Sequence, residues 1–149
     1  FEIFQQGNIA MLSWPPLSPD SFTSITLAHQ LLQTIHQEQI KLKPGLVNST
    51  LIIHGFSALQ EELKVLVQAD GDSDMIARAQ RQLAQKWIDQ TFDADSLCRL
   101  LIHMQAYDLG INHFAARFSQ LDQIRDDNGW QTLKNQLLVP IQHYGKTPR

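Results

Sequence analysis

Beyond residue 72, apolar side chains recur at intervals of three and four residues, and this periodicity constrains the fold more than any other feature. Such spacing places the apolar side chains on one face of an α-helix. It predicts helices from Ser73 to about Gln90, from Asp95 to Asp108 with Gly110 as C-terminal cap, around residues 114–121, and over a short last segment that ends at Pro140. The predicted stripes are Ile76, Ala79, Leu83 and Trp87; Leu97, Leu100, Leu101 and Met104; Phe114, Ala115, Phe118 and Leu121; and Trp130, Leu133 and Leu137.

The first part of the chain has strand-like segments followed by a helix. Two extended segments, residues 3–4 and 9–12, flank Gly7-Asn8, a pair that favours a turn because both residues tolerate positive φ. After two prolines, apolar residues resume the helical spacing. This pattern predicts a helix that begins with Ser18 as its N-cap and runs to about Glu38.

A second pair of strands and another helix follow. Residues 40–42 and 50–53 are predicted to form a hairpin around Pro44-Gly45. The second strand is apolar and β-branched, which predicts that it is buried on both faces. Ser57 and Gln60 fit a capping box, which predicts the start of a helix at Ser57.

These segments indicate an α+β fold, with a small β-sheet and helices in the N-terminal half and a bundle-like, all-helical C-terminal half. The predicted boundary lies at residue 69, before Asp70-Gly71-Asp72, which interrupts the helical pattern. The two parts, residues 1–69 and 70–149, are expected to pack together as one unit. Each later helix has a single apolar stripe, and that stripe must be covered by another element.

Charge and cysteine content argue against several classes of function. Twelve Lys and Arg against fifteen Asp and Glu give a formal charge of −3, so no nucleic-acid partner is expected. Cys98 is the only cysteine, which excludes an intrachain disulfide and favours a cytoplasmic location. No apolar run is long enough for a membrane span, and no membrane partner is expected. The N-terminal residues do not form a signal-peptide pattern, and the sequence leaves open whether Phe1 is a processed end or a fragment boundary.

Landmarks in the first half of the chain resemble those of a known family. They are Gly7-Asn8-Ile9-Ala10-Met11-Leu12, Pro15-Pro16, Ala28-His29-Gln30-Leu31-Leu32, and Pro44-Gly45-Leu46-Val47-Asn48-Ser49-Thr50-Leu51-Ile52-Ile53. Over residues 3–68 the chain resembles the N-terminal domain of the 5-oxoprolinase and kinase-A inhibitor family, which includes allophanate hydrolase subunit 1. The resemblance implies the order strand, helix, strand, helix and a regulatory role within a complex. It implies no catalytic residue, because the family's C-terminal Gly-Phe-x-Pro-Gly-Phe segment has no counterpart after residue 70.

The most enzyme-like segment is Ile52-Ile53-His54-Gly55-Phe56-Ser57. It is similar to the strand-His-Gly segment of α/β-hydrolases, in which the loop after a strand contributes to an oxyanion hole. His54 and Ser57 are therefore the candidate catalytic residues. The Gly-x-Ser-x-Gly turn that carries the nucleophile in that fold is absent from the sequence. The alternative interpretation is a strand end, a glycine turn and a Ser57 helix cap.

Candidate metal ligands are His103, His113 and Asp108, which lie on either side of a predicted turn. Their spacing matches no known metal motif, so neither a metal nor another cofactor is expected. The segment Asp70-Gly71-Asp72-Ser73-Asp74 begins like a calcium loop. It lacks the Gly and Glu that an EF-hand needs at loop positions 6 and 12, and is interpreted as the acidic start of a helix.

Two other features have ordinary structural explanations. Cys98 shares an apolar helix face with Leu97 and Leu101, so it is expected to be a buried, unreactive residue. Residues 106–111 are similar to the turn of a helix-turn-helix. The helix that would enter the DNA groove offers only Arg117 as a cation, so a simple corner between two helices is favoured.

No nucleophile–base pair, phosphate-binding loop or metal-ligand set emerges from the sequence. The expected function is a non-enzymatic protein-interaction or regulatory module that acts within a complex through an apolar helical surface. Trp14, Phe114, Phe118 and Trp130 are the expected partner surface, and the partner is another protein or a second copy of the chain. The alternative is a subunit of an amide- or lactam-cleaving complex, or a reduced α/β-hydrolase-like enzyme that uses His54-Gly55.

Overall fold

A four-stranded antiparallel sheet forms the N-terminal half, in a computed structural model that describes residues 3–36, 39–45, 47–126 and 128–144. The strands are β1 (Ile3–Gln6), β2 (Ile9–Trp14), β3 (Ile40–Lys43) and β4 (Ser49–His54), in the order β1-β2-β4-β3. Gly7 has a φ of 61° in the turn between β1 and β2, a conformation that favours glycine. Both predicted hairpins are present, and the predicted α+β fold class is confirmed.

The sheet is buried on one face only. Leu51 and Ile53 of β4 are fully buried and lie beside Leu12 and Ala10 of β2 in the register of the two strands. The alternate residues of β4, such as Ile52, are half-exposed. The prediction that this strand is buried on both faces is therefore wrong. An apolar run does not distinguish a strand covered on both faces from one covered on a single face.

The helices account for most of the remaining described residues. They are α1 (Phe22–Ile35), α2 (Phe56–Gln68), α3 (Asp74–Phe92), α4 (Ala94–Ala106), α5 (Ile111–Asp126), α6 (Gly129–Leu133), a π-helical segment (Lys134–Leu138) and α7 (Val139–His143). None of the described helices is both long enough and apolar enough to cross a membrane.

Helix α1 lies at the centre of the molecule and contacts β3, α2, α3 and α5. Because it is covered on several sides, its buried residues extend beyond the predicted stripe to Thr23, Leu27, Gln30 and Leu31. The helix begins at Phe22, one turn later than predicted. Ser18 does not cap it, and instead its hydroxyl bonds the Ser21 hydroxyl at 2.9 Å within the preceding turn.

Helix α2 is capped by the β1–β2 turn. Its N-cap is Gly55, with a φ of 69°. The backbone N–H of Phe56 donates to Asn8 O (3.1 Å), and that of Ser57 donates to Asn8 Oδ1 (3.3 Å). The predicted Ser57–Gln60 capping box is wrong, because a residue 49 positions earlier in the chain supplies the acceptor.

Two predicted helix ends also differ from the structure. Helix α4 ends in a Schellman motif, in which Leu109 N–H donates to Met104 O (2.7 Å) and Asp108 has a φ of 56°. Asp108, rather than Gly110, occupies the left-handed capping position. The last helical segment continues past Pro140, because the π-helical turn before it changes the hydrogen-bond pattern where proline lacks a donor.

The C-terminal helices pack on the N-terminal half through α1 and α2. Helices α3 and α5 contact α1, and α7 contacts α2. The predicted boundary at residue 69 lies between the end of α2 and the start of α3. A continuous set of buried apolar residues extends from the sheet, through α1 and α2, to Leu137 and Ile141 near the C-terminal end.

Candidate interaction surface

Helices α3 and α4 form a hairpin that is joined at Asp93. The Asp93 carboxylate caps α4 by accepting hydrogen bonds from the Ser96 hydroxyl (2.5 Å) and the Ser96 backbone N–H (3.1 Å). These two bonds favour the charged carboxylate and lower the pKa of Asp93. Helix α4 packs against α3. The cap therefore fixes where α4 starts, and with it which side chains α4 turns toward α3.

Only part of the apolar surface of α4 is buried. Met104 is 7% exposed, and Leu97 and Leu100 are half-buried. The next apolar positions around the helix, Leu101 and Ile102, are 52% and 66% exposed. The apolar arc of α4 is thus wider than the arc that the rest of the protein covers.

Cys98 lies on this uncovered side of α4. It is three residues before Leu101 and four before Ile102, so all three side chains share one face of the helix. The thiol is free and the residue is exposed. The prediction that Cys98 is buried is wrong, because the stripe that packs against α3 is centred on Met104 and turns Cys98 toward solvent.

Helix α3 adds two apolar side chains near the same end of the hairpin. Ile88 is 41% exposed, and Phe92, the last residue of α3, is 85% exposed. We call the four exposed apolar residues Ile88, Phe92, Leu101 and Ile102 the hairpin surface. Ile88, Phe92 and Ile102 are not among the residues predicted from the sequence, because they lie off the predicted stripes. An off-stripe apolar residue on a predicted helix is the signal that could have identified them.

Charges around the hairpin surface are mostly acidic. Asp89, Asp93 and Asp95 are exposed on or between the two helices, and Arg99 is the exposed cation nearest to them in sequence. An apolar surface bordered by polar side chains is typical of a protein-binding site, since the apolar centre supplies affinity and the border supplies selectivity.

The predicted partner residues lie elsewhere and are mostly buried. Trp14 and Trp130 are 1% and 2% exposed, and the indole N–H of Trp130 donates to Ala69 O at 2.9 Å. Phe118 packs edge-on against the ring of Trp87, with ring centroids 5.4 Å apart. The predicted surface therefore needs correction: the two tryptophans belong to the core, and Phe114 and Phe118 are half-buried contacts of it.

Arg117 explains part of this burial. Its guanidinium lies 4.1 Å from the ring centroid of Phe114 and 5.2 Å from those of Trp87 and Phe118, and the residue is only 2% exposed. Burial lowers the pKa of Arg117. No carboxylate among the described residues pairs with it. Stacking on aromatic faces offsets part of the cost of desolvating this cation, and its position makes it inaccessible to a DNA phosphate.

The candidate catalytic residues are not joined in a catalytic arrangement. His54 is half-exposed on the open face of β4, opposite Ile9, whereas Ser57 is exposed in the first turn of α2. No hydrogen bond within the described part of the chain connects the two side chains, or either of them to an acid. A nucleophile and its base would need such contact, directly or through a small shift.

The candidate metal ligands also occupy different environments. His103 is exposed beside Tyr107, with ring centroids 6.2 Å apart, and Asp108 is exposed at the end of α4. His113 packs edge-on against Phe22 at 5.0 Å, and burial together with the charge of Arg117 lowers its pKa. No group of three His, Cys, Asp or Glu side chains among the described residues could hold a metal ion.

The chain was compared with models of known protein families, with curated proteins and with solved structures, and none of the three comparisons gives a match.

Proposed function

We propose that the protein is a non-enzymatic interaction or regulatory module that binds a partner protein through the hairpin surface. The observation that carries this proposal is the exposure of four large apolar side chains on two adjoining helices. Burying a side chain of this size is worth about 1.5–3 kcal/mol. A partner that covers Phe92 and Ile102 therefore gains affinity from surface that the folded chain itself leaves exposed.

The charges around the hairpin surface favour a different protein over a second copy of the chain. The three exposed aspartates at its border would face one another if two copies met through this surface. A partner with an apolar stripe flanked by Lys or Arg would complement both the apolar centre and the acidic border. An amphipathic basic helix has this chemistry.

A retention experiment with matched variants tests the proposal. The wild-type protein, Ile102→Glu and Val65→Glu are immobilised and exposed to an extract of the source cells. Val65 is the control because it is an exposed apolar residue of α2, 63% exposed against 66% for Ile102. We expect one protein to be retained by the wild type and by Val65→Glu. Its retention should fall at least tenfold with Ile102→Glu, because a charge is then buried in the interface.

Two results would contradict the proposal. Equal retention of the same protein by Ile102→Glu would place the partner on another surface, such as the open sheet face around Phe4 and Met11. Sedimentation of the purified protein provides the second check. A dimer that Ile102→Glu dissociates would assign the hairpin surface to self-association and overturn the choice of a different partner.

The resemblance of residues 3–68 to the 5-oxoprolinase and kinase-A inhibitor family is consistent with a regulatory role within a complex and remains a prediction. The enzymatic alternative through His54 and Ser57 also remains a prediction, and no contact among the described residues favours it.

A further inference from the structure

A cavity of about 330 Å³ lies where α1, α3 and α4 meet the end of β3. Its apolar lining includes Leu83 and Trp87 of α3, Leu100 of α4 and Leu109. Its volume lies at the lower end of the range of small-molecule sites, about 300–1,000 Å³. None of the four hairpin-surface residues lines it, so the cavity and that surface are separate features.

The polar lining of the cavity is one-sided in charge. His29 of α1, Lys86 of α3 and His103 of α4 line it, and no carboxylate of the described residues does. Lys86 and His103 are exposed, so they lie where the cavity meets solvent. The Lys86 ammonium is oriented by a 2.6 Å hydrogen bond to Gln30 Oε1. This combination of an apolar interior and a cationic mouth favours a ligand with an anionic head and an apolar body.

Two polar groups in the cavity lack a complete set of partners. The Oε1 end of the Gln90 amide is buried, and no described residue bonds it. Rotation of the amide by 180° exchanges its acceptor and donor ends, so Gln90 can also donate to an anion. His29 donates from Nε2 to Ile40 O at 3.2 Å. Burial lowers the pKa of His29, and the charge of Lys86 lowers it further, which keeps the ring neutral at pH 7.

We propose that this cavity binds a small monocarboxylate with an apolar tail. The tail packs against Trp87 and Leu100, and the carboxylate accepts hydrogen bonds from Lys86 and from the Gln90 amide. Each half of such a ligand meets a group that the protein leaves unsatisfied: apolar wall for the tail, and an unneutralised ammonium and an unpartnered amide for the head. The proposal is independent of the partner that binds the hairpin surface.

Calorimetric titration with three probes tests the two halves of this ligand separately. Octanoate carries both the charge and the tail, 1-octanol carries the tail alone, and acetate carries the charge alone. We expect octanoate to bind at least tenfold more tightly than octanol and acetate to give no saturable heat. Affinity should rise up to about fourfold per added CH₂ from butyrate to octanoate, as expected for burial of a methylene group. Equal binding of octanoate and octanol would overturn the carboxylate assignment.

Two variants locate the binding site. Lys86→Met should weaken octanoate binding at least tenfold and leave octanol binding unchanged, since the lost interaction is with the charged head. Lys64→Met is the matched control, because Lys64 is exposed on α2 and pairs with Glu61. Leu100→Trp should fill the cavity and abolish binding of both probes while thermal unfolding shows the variant to be folded.

A third readout follows the His29 ring by NMR. A bound carboxylate beside Lys86 should raise the pKa of His29, and bound octanol should not. Failure of octanoate to bind the wild type, or unchanged binding by both Lys86→Met and Leu100→Trp, would overturn the proposal.

Discussion

Single residues decide where helix α4 ends. Asp108 adopts a left-handed conformation and is followed by Leu109, which is buried and lies next to Met104 in the Schellman motif. Left-handed backbone costs an ordinary L-residue about 1–2 kcal/mol, and Asp tolerates it better than most. The buried Leu109–Met104 pair stabilises the motif even though its left-handed position is not occupied by glycine.

Asp108→Gly is therefore expected to raise the free energy of unfolding by about 0.5–1 kcal/mol, because glycine adopts positive φ without steric cost. Denaturant titration measures the change. Gly110→Ala is the control, since a methyl group at Gly110 meets nothing within 4 Å and its φ is not positive. This control should be neutral or slightly stabilising. Destabilisation by Gly110→Ala with no gain from Asp108→Gly would assign the cap to Gly110, as the sequence predicts.

His36 connects three elements at a point that the sequence pattern marks only as a helix edge. It is 3% exposed, and its Nε2 donates to His54 O of β4 at 2.7 Å. Its Nδ1 lies 3.1 Å from Glu62 Oε1 of α2. Because a carbonyl and a carboxylate both accept, the ring bonds both partners as a donor when it carries two protons and Glu62 is ionised. The end of α1 is thereby tied to the sheet and to α2.

The start of α2 depends on the turn of a different element. Asn8→Ala removes the Oδ1 acceptor of the Ser57 N–H, and we expect it to lower the free energy of unfolding by about 1 kcal/mol. Asn8→Asp should retain most of the stability, because its carboxylate can still accept at the positive end of the helix. Urea titration of the three proteins measures the differences.

Ser57→Ala is the matched control for this cap. The Ser57 hydroxyl does not cap α2, so its loss should cost less than that of the Asn8 side chain. An equal or larger cost for Ser57→Ala would support the capping box that the sequence predicts and contradict the cap from Asn8.

At the scale of the whole molecule, glutamine side chains connect the helix layers. Gln30 bonds Gln82 and Lys86 between α1 and α3, Gln80 donates to Leu121 O between α3 and α5, and Gln60 donates to Ile141 O between α2 and α7. An amide can donate and accept without the cost of burying a charge. These bonds satisfy polar groups at contacts that are otherwise apolar.

Two buried histidines make the stability of the molecule depend on pH. The pKa values of His29 and His113 lie below the ordinary 6.5, chiefly because burial disfavours the charged ring. The folded state therefore binds fewer protons than the unfolded state as the pH falls below about 6.5. The free energy of unfolding should decrease from pH 7 toward pH 5, as the unfolded chain becomes protonated at these residues first.

The double variant His29→Gln, His113→Leu checks this expectation. Urea titrations at several pH values should show a smaller loss of stability between pH 7 and pH 5 than in the wild type. An unchanged slope would mean that other groups cause the loss and that the two rings are not protonated differently in the folded and unfolded chains.

Local chemistry, and hence the sequence alone, determined the class of each segment. Gly7-Asn8 and Pro44-Gly45 marked the hairpin turns, and three-to-four-residue spacing marked the helices, because turn geometry and helix periodicity are set by neighbouring residues. Periodicity does not report how much of an apolar arc another element covers. Tertiary packing therefore decided that Trp14, Trp130 and Arg117 are buried, that Cys98 and Ile102 are exposed, and that Asn8 caps a helix 49 positions away. Each of these outcomes depends on contacts between residues far apart in the chain.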